Sequence, residues 1–379
     1  MKQTLFVCFF FLAAACSQPG KHVSAAKADG PDTIRYAKGF TVERCNGYIA
    51  VEVIDPWDTT QLLQRYLLVD RDQPMPGNLP KGTIVQTPLR NIAVYTSVHA
   101  SIIEQLGEAD RITGVCEPQY MSSPVIREGL RTGRIADLGM ATAPNVEKMI
   151  DMGVAYIIAS PFQNSNYGQA EKLGIPIIEA ADYMESLPLG RAEWGRFYGL
   201  LFQKEAIADS IFGDTEGRYL ALKALAQTAT NRPTVLSEKR YGSFWYVPGN
   251  DSYVAHFFND AGADYVFKGI PGSGSMPLAF ETVLDQASHA GVWLIKYNQA
   301  DEMTYNSLRT EYTPYENFDA WKNRNIYTCN TGKVPYYEEF PIHPDYLLKD
   351  LIRVFHPELL PGYTPRYYRK MEEVQSANQ

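Results

Sequence analysis

The chain has 379 residues, enough for two domains and a sizeable core. Its 45% hydrophobic and 21% charged residues are ordinary for a folded chain, and a net charge of -8 without a long basic run argues against nucleic acid as a partner. Tyrosine is abundant, with 25 residues, and rings of that kind suit a cleft that grips a large amphipathic molecule as well as they suit a core.

At the start, Met1-Lys2-Gln3 precedes an apolar run from Leu5 to Ala15. The run is too short to span a bilayer and has the length of a signal-peptide core. Its end, Leu12-Ala13-Ala14-Ala15-Cys16, resembles a bacterial lipobox, although Ala13 stands where leucine is usual. Acylation of Cys16 would tether the chain to a membrane. Ser17 to about Asp32 is small and polar, and residues 17–38 read as a flexible leash. With Cys8 removed and Cys16 lipidated, Cys45, Cys116 and Cys329 remain. They leave room for at most one disulfide, and their spacing is not that of a zinc or redox motif.

From Gly39 to Asp70, the segments YIAVEVI and QLLQRYLLV predict a strand meander or hairpin. Ile92 to Tyr95 reads as a buried strand. Thr96-Ser97 then caps a helix with Ile102, Ile103 and Leu106 on one face, ending at Gly107. Strands follow at Ile112 to Val115, Tyr156 to Ala159 and Ile175 to Ile178, with a helix after Asn145. Alternating strands and helices predict an α/β fold with mainly parallel sheets. Arg191 to about Ala226 carries apolar residues near a 3.6-residue period and reads as one long helix, roughly 50 Å at ~1.5 Å per residue. After it the same grammar returns. Thr234 to Ser237 reads as a strand and Ser252 to Asn259 as a helix, ending in Ala261-Gly262-Ala263-Asp264, an echo of Leu106-Gly107-Glu108-Ala109-Asp110. Pro277 to Glu281 followed by the strand Val292 to Ile295 echoes Pro144 to Glu147 followed by Tyr156 to Ala159. The expected organisation is an N-terminal lobe over 39–190, a linking helix over 191–230 and a C-terminal lobe over 231–379.

The segments NIAVYTSVHASIIEQLGEADRITGV, IADLGMATAPNVEKMIDMGVAYIIAS, GIPII, the long helix, SYVAHFFNDAGADYVF and NRNIYTCNTGKVPYYEEFPIHPDYLLKDLIRVFHPEL occur in this order from about Thr83 to Leu360. Together they resemble the substrate-binding proteins of iron-chelate and vitamin B12 ABC importers. The resemblance implies two lobes hinged by a single helix. It also implies a metal chelate (iron–siderophore, haem or cobalamin) held between the lobes, with delivery to a membrane permease by a periplasmic, lipid-anchored monomer. It further implies that one exposed glutamate per lobe docks onto permease arginines. Glu147 and Glu281 fill matching places in the two repeats, each near a helix start where a carboxylate also suits the helix dipole.

A ligand between such lobes meets the loops at the carboxyl ends of the strands. The candidates are Tyr95, Thr96, Ser97, Gln119, Tyr120, Phe162, Gln163 and Tyr167 in the first lobe. In the second they are Arg240, Tyr241, Phe244, Trp245, Tyr246, Lys296, Tyr297, Tyr336 and Tyr337. Aromatic faces with a few cations suit a bulky chelate with carboxylate or phosphate edges. His22, His99, His256, His289, His343 and His356 are scattered, which argues against a bare metal ion and for no resident cofactor. No G-x-S-x-G or Walker motif is present, and Gly269 to Ser275 reads as a flexible loop near the cleft. Two other readings stay open: an enzyme handling a metallocluster or tetrapyrrole on the same scaffold, and a surface chelate scavenger without a permease.

Overall fold

The computed structural model describes residues 30–163 and 166–372. Its first layer is a meander. Strands Phe40–Cys45, Tyr48–Ile54 and Leu62–Asp70 run antiparallel, and Thr83–Thr87 joins the last of them in parallel. Phe40 and Val42, Val51 and Val53, Tyr66 and Leu68 turn inward, the period of two that buries one face of a sheet. That face closes over the same core as Ile92, Val94, Ile103 and Trp194. The sheet is thus an added layer on the first lobe. Tyr66 fastens it: its hydroxyl donates to Ile177 O at 3.2 Å and accepts from Glu179 N at 2.7 Å.

The leash expected through residue 38 is fastened from its C-terminal part. Gly30–Pro31 pairs with Glu43 and Arg44. The buried carboxylate of Glu193 accepts the amides of Arg35, Tyr36 and Ala37 at 3.0, 2.7 and 2.9 Å. Several N–H groups converging on one buried carboxylate hold a segment whose composition alone reads as a linker. Cys16 and the signal segment lie outside the described residues.

Two parallel sheets form the lobes. Across the first, the order is Ile177–Glu179, Tyr156–Ala159, Ile92–Val94, Ile112–Val115 and the short Ala136–Asp137. Across the second it is Asp264–Tyr265, Thr234–Ser237, Val292–Tyr297, Ile326–Asn330 and an antiparallel edge, Arg369–Lys370. Leaving aside the two short edge strands, both lobes follow one rule. The second strand lies on one side of the first, the third on the other, and the fourth beyond the third. The first helices match as well. Thr96 caps Ser97–Gln105 and Ser252 caps Tyr253–Asp260, each hydroxyl accepting an amide three residues on, at 3.3 and 3.2 Å. Just beyond them Gly107 and Gly262 sit at φ 77° and 80°, a conformation that favours glycine. The sequence echo is therefore a topological repeat.

The long helix is two helices. Pro188–Phe202 ends at Gln203, which takes a left-handed φ of 55°, and Lys204 N donates back to Gly199 O at 2.7 Å. The chain then turns into Glu205–Ala226. The two pack against each other where Gly199 faces Ala208; a Cβ on Gly199 would lie 2.7 Å from that of Ala208. Arg196 braces the pair through Asp209 at 2.9 Å and over the ring of Phe212. Pro188–Phe202 buries Trp194, Phe197, Tyr198 and Leu201 in the first lobe's core and touches the second through Leu189 and Arg191, and the chain passes to the second lobe through Glu205–Ala226. That helix is about 33 Å long at ~1.5 Å per residue. Its start, with Ala208, joins the first core, and its end, with Tyr219 and Ala226, joins the second.

Cys45, Cys116 and Cys329 are free thiols. No helix among the described residues is long and apolar enough to cross a membrane.

Candidate functional site

Two cavities lie along the carboxyl ends of the central strands. One, of about 710 Å³, is lined from the first lobe by Thr96, Ser97, Gln119, Tyr120, Ser122 and Arg127, and from the second by Lys333, Tyr336, Tyr337 and Glu338. The other, of about 560 Å³, lies in the second lobe and is lined by Glu238, Lys239, Arg240, Tyr241, Tyr246, Tyr253, Lys296 and Tyr297. Asn298 and Tyr337 line both, so the cavities form one cleft. Tyr120, Tyr241, Tyr246 and Tyr337 present large exposed ring surface along it. An aromatic ring exposed in a cleft is a stacking face for a flat or bulky apolar ligand.

The charges divide unevenly. At the floor of the second-lobe cavity Lys296 pairs with Glu238. Burial works against the lysine's charge, but the neighbouring carboxylate prevails and holds the ammonium well above its ordinary value. Glu238 follows the strand Thr234–Ser237 in a left-handed conformation, φ 65°, a strained backbone of the kind concentrated at functional sites. Lys239 pairs with Glu311 at 2.5 Å, while the Arg240 guanidinium lies 4.0 Å from the Tyr312 ring centre. Among the described residues no group of three or more His, Cys, Asp or Glu converges to hold a metal ion.

The lobes touch beside the cleft. Ser122 donates its amide to Glu338 Oε1 at 2.8 Å and its hydroxyl to the other carboxylate oxygen, and Ser101 donates to Glu338 O at 2.6 Å. His343 bridges Gln105 of the first lobe, at 2.7 Å, and Thr215 of the linking helix, at 3.3 Å.

Eleven of the seventeen expected ligand residues line this cleft: Thr96, Ser97, Gln119, Tyr120, Arg240, Tyr241, Tyr246, Lys296, Tyr297, Tyr336 and Tyr337. Tyr297 and Tyr336 are wall rather than free surface. The Tyr297 hydroxyl donates to Glu302 at 2.5 Å and is pushed up to about 12, chiefly by burial. Tyr336 is buried among Phe340, Tyr337 and Tyr367. The other six are elsewhere. Tyr95 points beneath the sheet with Ala93, edge-on to Tyr167 at 6.2 Å, because strand alternation sends it to the opposite face from Ile92 and Val94. Tyr167 donates to Glu179 at 2.8 Å and Ser160 O at 3.2 Å. Trp245 is fully buried, stacked on Trp293 at 5.5 Å, with its Nε1 donating to Ser237 O. Its neighbour Phe244 is exposed on the hairpin's outer face but outside the cleft lining, and Phe162 and Gln163 are exposed and also outside it.

Glu238, Asn298, Arg127, Lys333 and Glu338 went unrecognised from the sequence, although Glu238 directly follows an expected strand; Asn298 follows the observed strand Val292–Tyr297, which runs two residues past its expected end at Ile295. The loop Gly269 to Ser275 does reach the cleft, through Ser273, Gly274 and Ser275, but it is pinned rather than loose. Asn250, Asp251 and Gly249 donate to Ile270, Gly272 and Gly274 at 2.7, 3.0 and 2.8 Å. His99 is buried away from the cleft, 3.3 Å from Ser160 Oγ and 3.6 Å from Asp182. Glu147 and Glu281 are both exposed in the first turns of matching helices, Val146–Asp151 and Phe280–Ala287.

A family model described as periplasmic binding protein matches residues 92–331, more than half of the chain. The chain belongs to the periplasmic binding protein family. The matched segment of this periplasmic binding protein begins at the first lobe's central strand, so the sheet over residues 40–87 precedes it. An uncharacterized lipoprotein of Methanocaldococcus jannaschii is 28% identical over 81% of this chain and 76% of its own. A possible iron-binding periplasmic protein of Staphylococcus epidermidis has the same fold, with a TM-score of 0.57 at 16% identity over 71% of this chain and all of that one. So does a periplasmic heme-binding protein of Roseiflexus, with a TM-score of 0.55 at 18% identity over 72% of this chain and 99% of that one.

Proposed function

We propose that this periplasmic binding protein captures a metal chelate in the cleft between its lobes and hands it to an ABC permease. The observation that carries the reading is the shared wall of Tyr337 and Asn298, which makes a single cleft from a two-lobed cavity and a second-lobe cavity. A joined space of this size suits a siderophore, haem or corrinoid better than a bare ion, which would need convergent ligands. Relatives of the same fold that are described as iron-binding and heme-binding support that ligand class.

Capture is non-covalent. Exposed tyrosines stack on the ligand, and polar groups at the strand ends fix its orientation. With one helix between the lobes and contacts such as Ser122 to Glu338 across them, movement on binding is small. Glu147 and Glu281 then present one carboxylate per lobe to basic residues of the permease, which gives orientation with little buried area. An acylated Cys16 would hold the protein at the membrane as a monomer.

The test is intrinsic fluorescence quenching of the purified protein titrated with haem, cyanocobalamin, a ferric hydroxamate and a ferric catecholate. Saturable one-to-one binding of one class is expected. Failure of all four would withdraw the chelate assignment.

A further inference from the structure

We infer that the second-lobe half of the cleft selects chelates carrying an anionic group, with Arg240 as the residue that receives it. This rests on the chelate-capture reading and narrows its ligand class. Three cations line that cavity, Lys239, Arg240 and Lys296, against one carboxylate, Glu238. Two of the cations are already matched, Lys296 by Glu238 and Lys239 by Glu311. Arg240 has no carboxylate partner among the described residues; its guanidinium rests against the face of Tyr312 and its backbone amide donates to the Tyr315 hydroxyl. A guanidinium held against a ring is oriented in advance, and its free edge suits the two oxygens of a carboxylate or a catecholate. The two-lobed cavity shows no such surplus. Arg127 and Lys333 line it together with two carboxylates, Glu117 and Glu338; Arg127 donates to Met121 O at 3.2 Å, and Lys333 is paired with Glu302 at 2.9 Å.

The asymmetry orients the ligand. Its anionic edge lies in the second lobe on Arg240, and its apolar body lies against Tyr337 and Tyr120. A neutral corrinoid or a cationic ferric trihydroxamate leaves Arg240 unmatched, whereas a porphyrin with free propionates or a ferric tricatecholate satisfies it.

The experiment titrates the full chain with two matched contrasts, haem against haem dimethyl ester and an anionic ferric tricatecholate against a cationic ferric trihydroxamate, at low and high salt. The expected result is at least about tenfold tighter binding of the anionic member of a pair, weakening as salt is raised. Arg240→Gln erases that preference with the unfolding midpoint unchanged. Equal affinities within both pairs, a tighter cationic member, or a preference that survives Arg240→Gln would overturn the assignment while leaving chelate capture standing. Binding of cyanocobalamin with none of these four bound would overturn this assignment and leave capture standing, and no binding of the four or of cyanocobalamin would overturn both.

Discussion

Ser122 and Glu338 meet across the lobes, the serine donating both its amide, at 2.8 Å, and its hydroxyl to one carboxylate at the rim of the cleft. Hydrogen bonds to a charged acceptor are worth about 1.5–3 kcal/mol each. Glu338→Ala should therefore shift the lobes toward an open arrangement by about 1–3 kcal/mol, which enlarges the radius of gyration in solution scattering. Identical scattering from the variant and the parent would show that this contact does not hold the lobes.

Glu147 and Glu281 predict a separation of delivery from capture. Reversing both charges should abolish uptake in cells and leave chelate affinity within about twofold, because both side chains are exposed and neither lines the cleft. A matching loss of affinity would end their assignment to permease docking.

Trp245 and Phe244 are adjacent in one strand yet face opposite ways. Trp245→Ala removes a fully buried indole and should cost about 3–5 kcal/mol in denaturant unfolding. Phe244→Ala, on the outer face, should cost under about 1 kcal/mol. Similar costs for the two would contradict the alternation.

That strand shows what was legible in the sequence. The run Phe244-Trp-Tyr-Val247 carries the period of two that separates core from surface, and the aromatic content alone obscures it. The lobes were legible because hydrophobic strands, helix caps and the paired glycines Gly107 and Gly262 are local signals. The turn at Gln203 was not, because a left-handed helix end usually carries glycine or asparagine and both flanking helices keep their apolar period. Pairings such as Ser122 to Glu338, which span 216 residues, leave no local trace. The cleft residues at strand ends could be read from position, but whether each ring stacks on a ligand or packs in a core depended on the strand face.

His343 makes stability depend on pH. Burial holds its imidazole below the ordinary value of 6.5. As pH falls below 6.5 the unfolded chain takes up the proton before the folded one does, so the stability present above 6.5 is lost, by at most about 1.4 kcal/mol per pH unit. The difference between the stability curves of the parent and His343→Gln isolates this contribution. It should be flat above 6.5 and fall below it; a difference that rises as pH falls would contradict the burial.

The central claim is that both cavities serve one ligand, and Tyr337, which borders both, tests it most directly. Calorimetric titration of the chelate that binds best into the parent and into Tyr337→Ser should give one site in each, with affinity at least about tenfold weaker in the variant and unfolding midpoints alike. Unchanged affinity, or two independent sites, would contradict a single shared cleft.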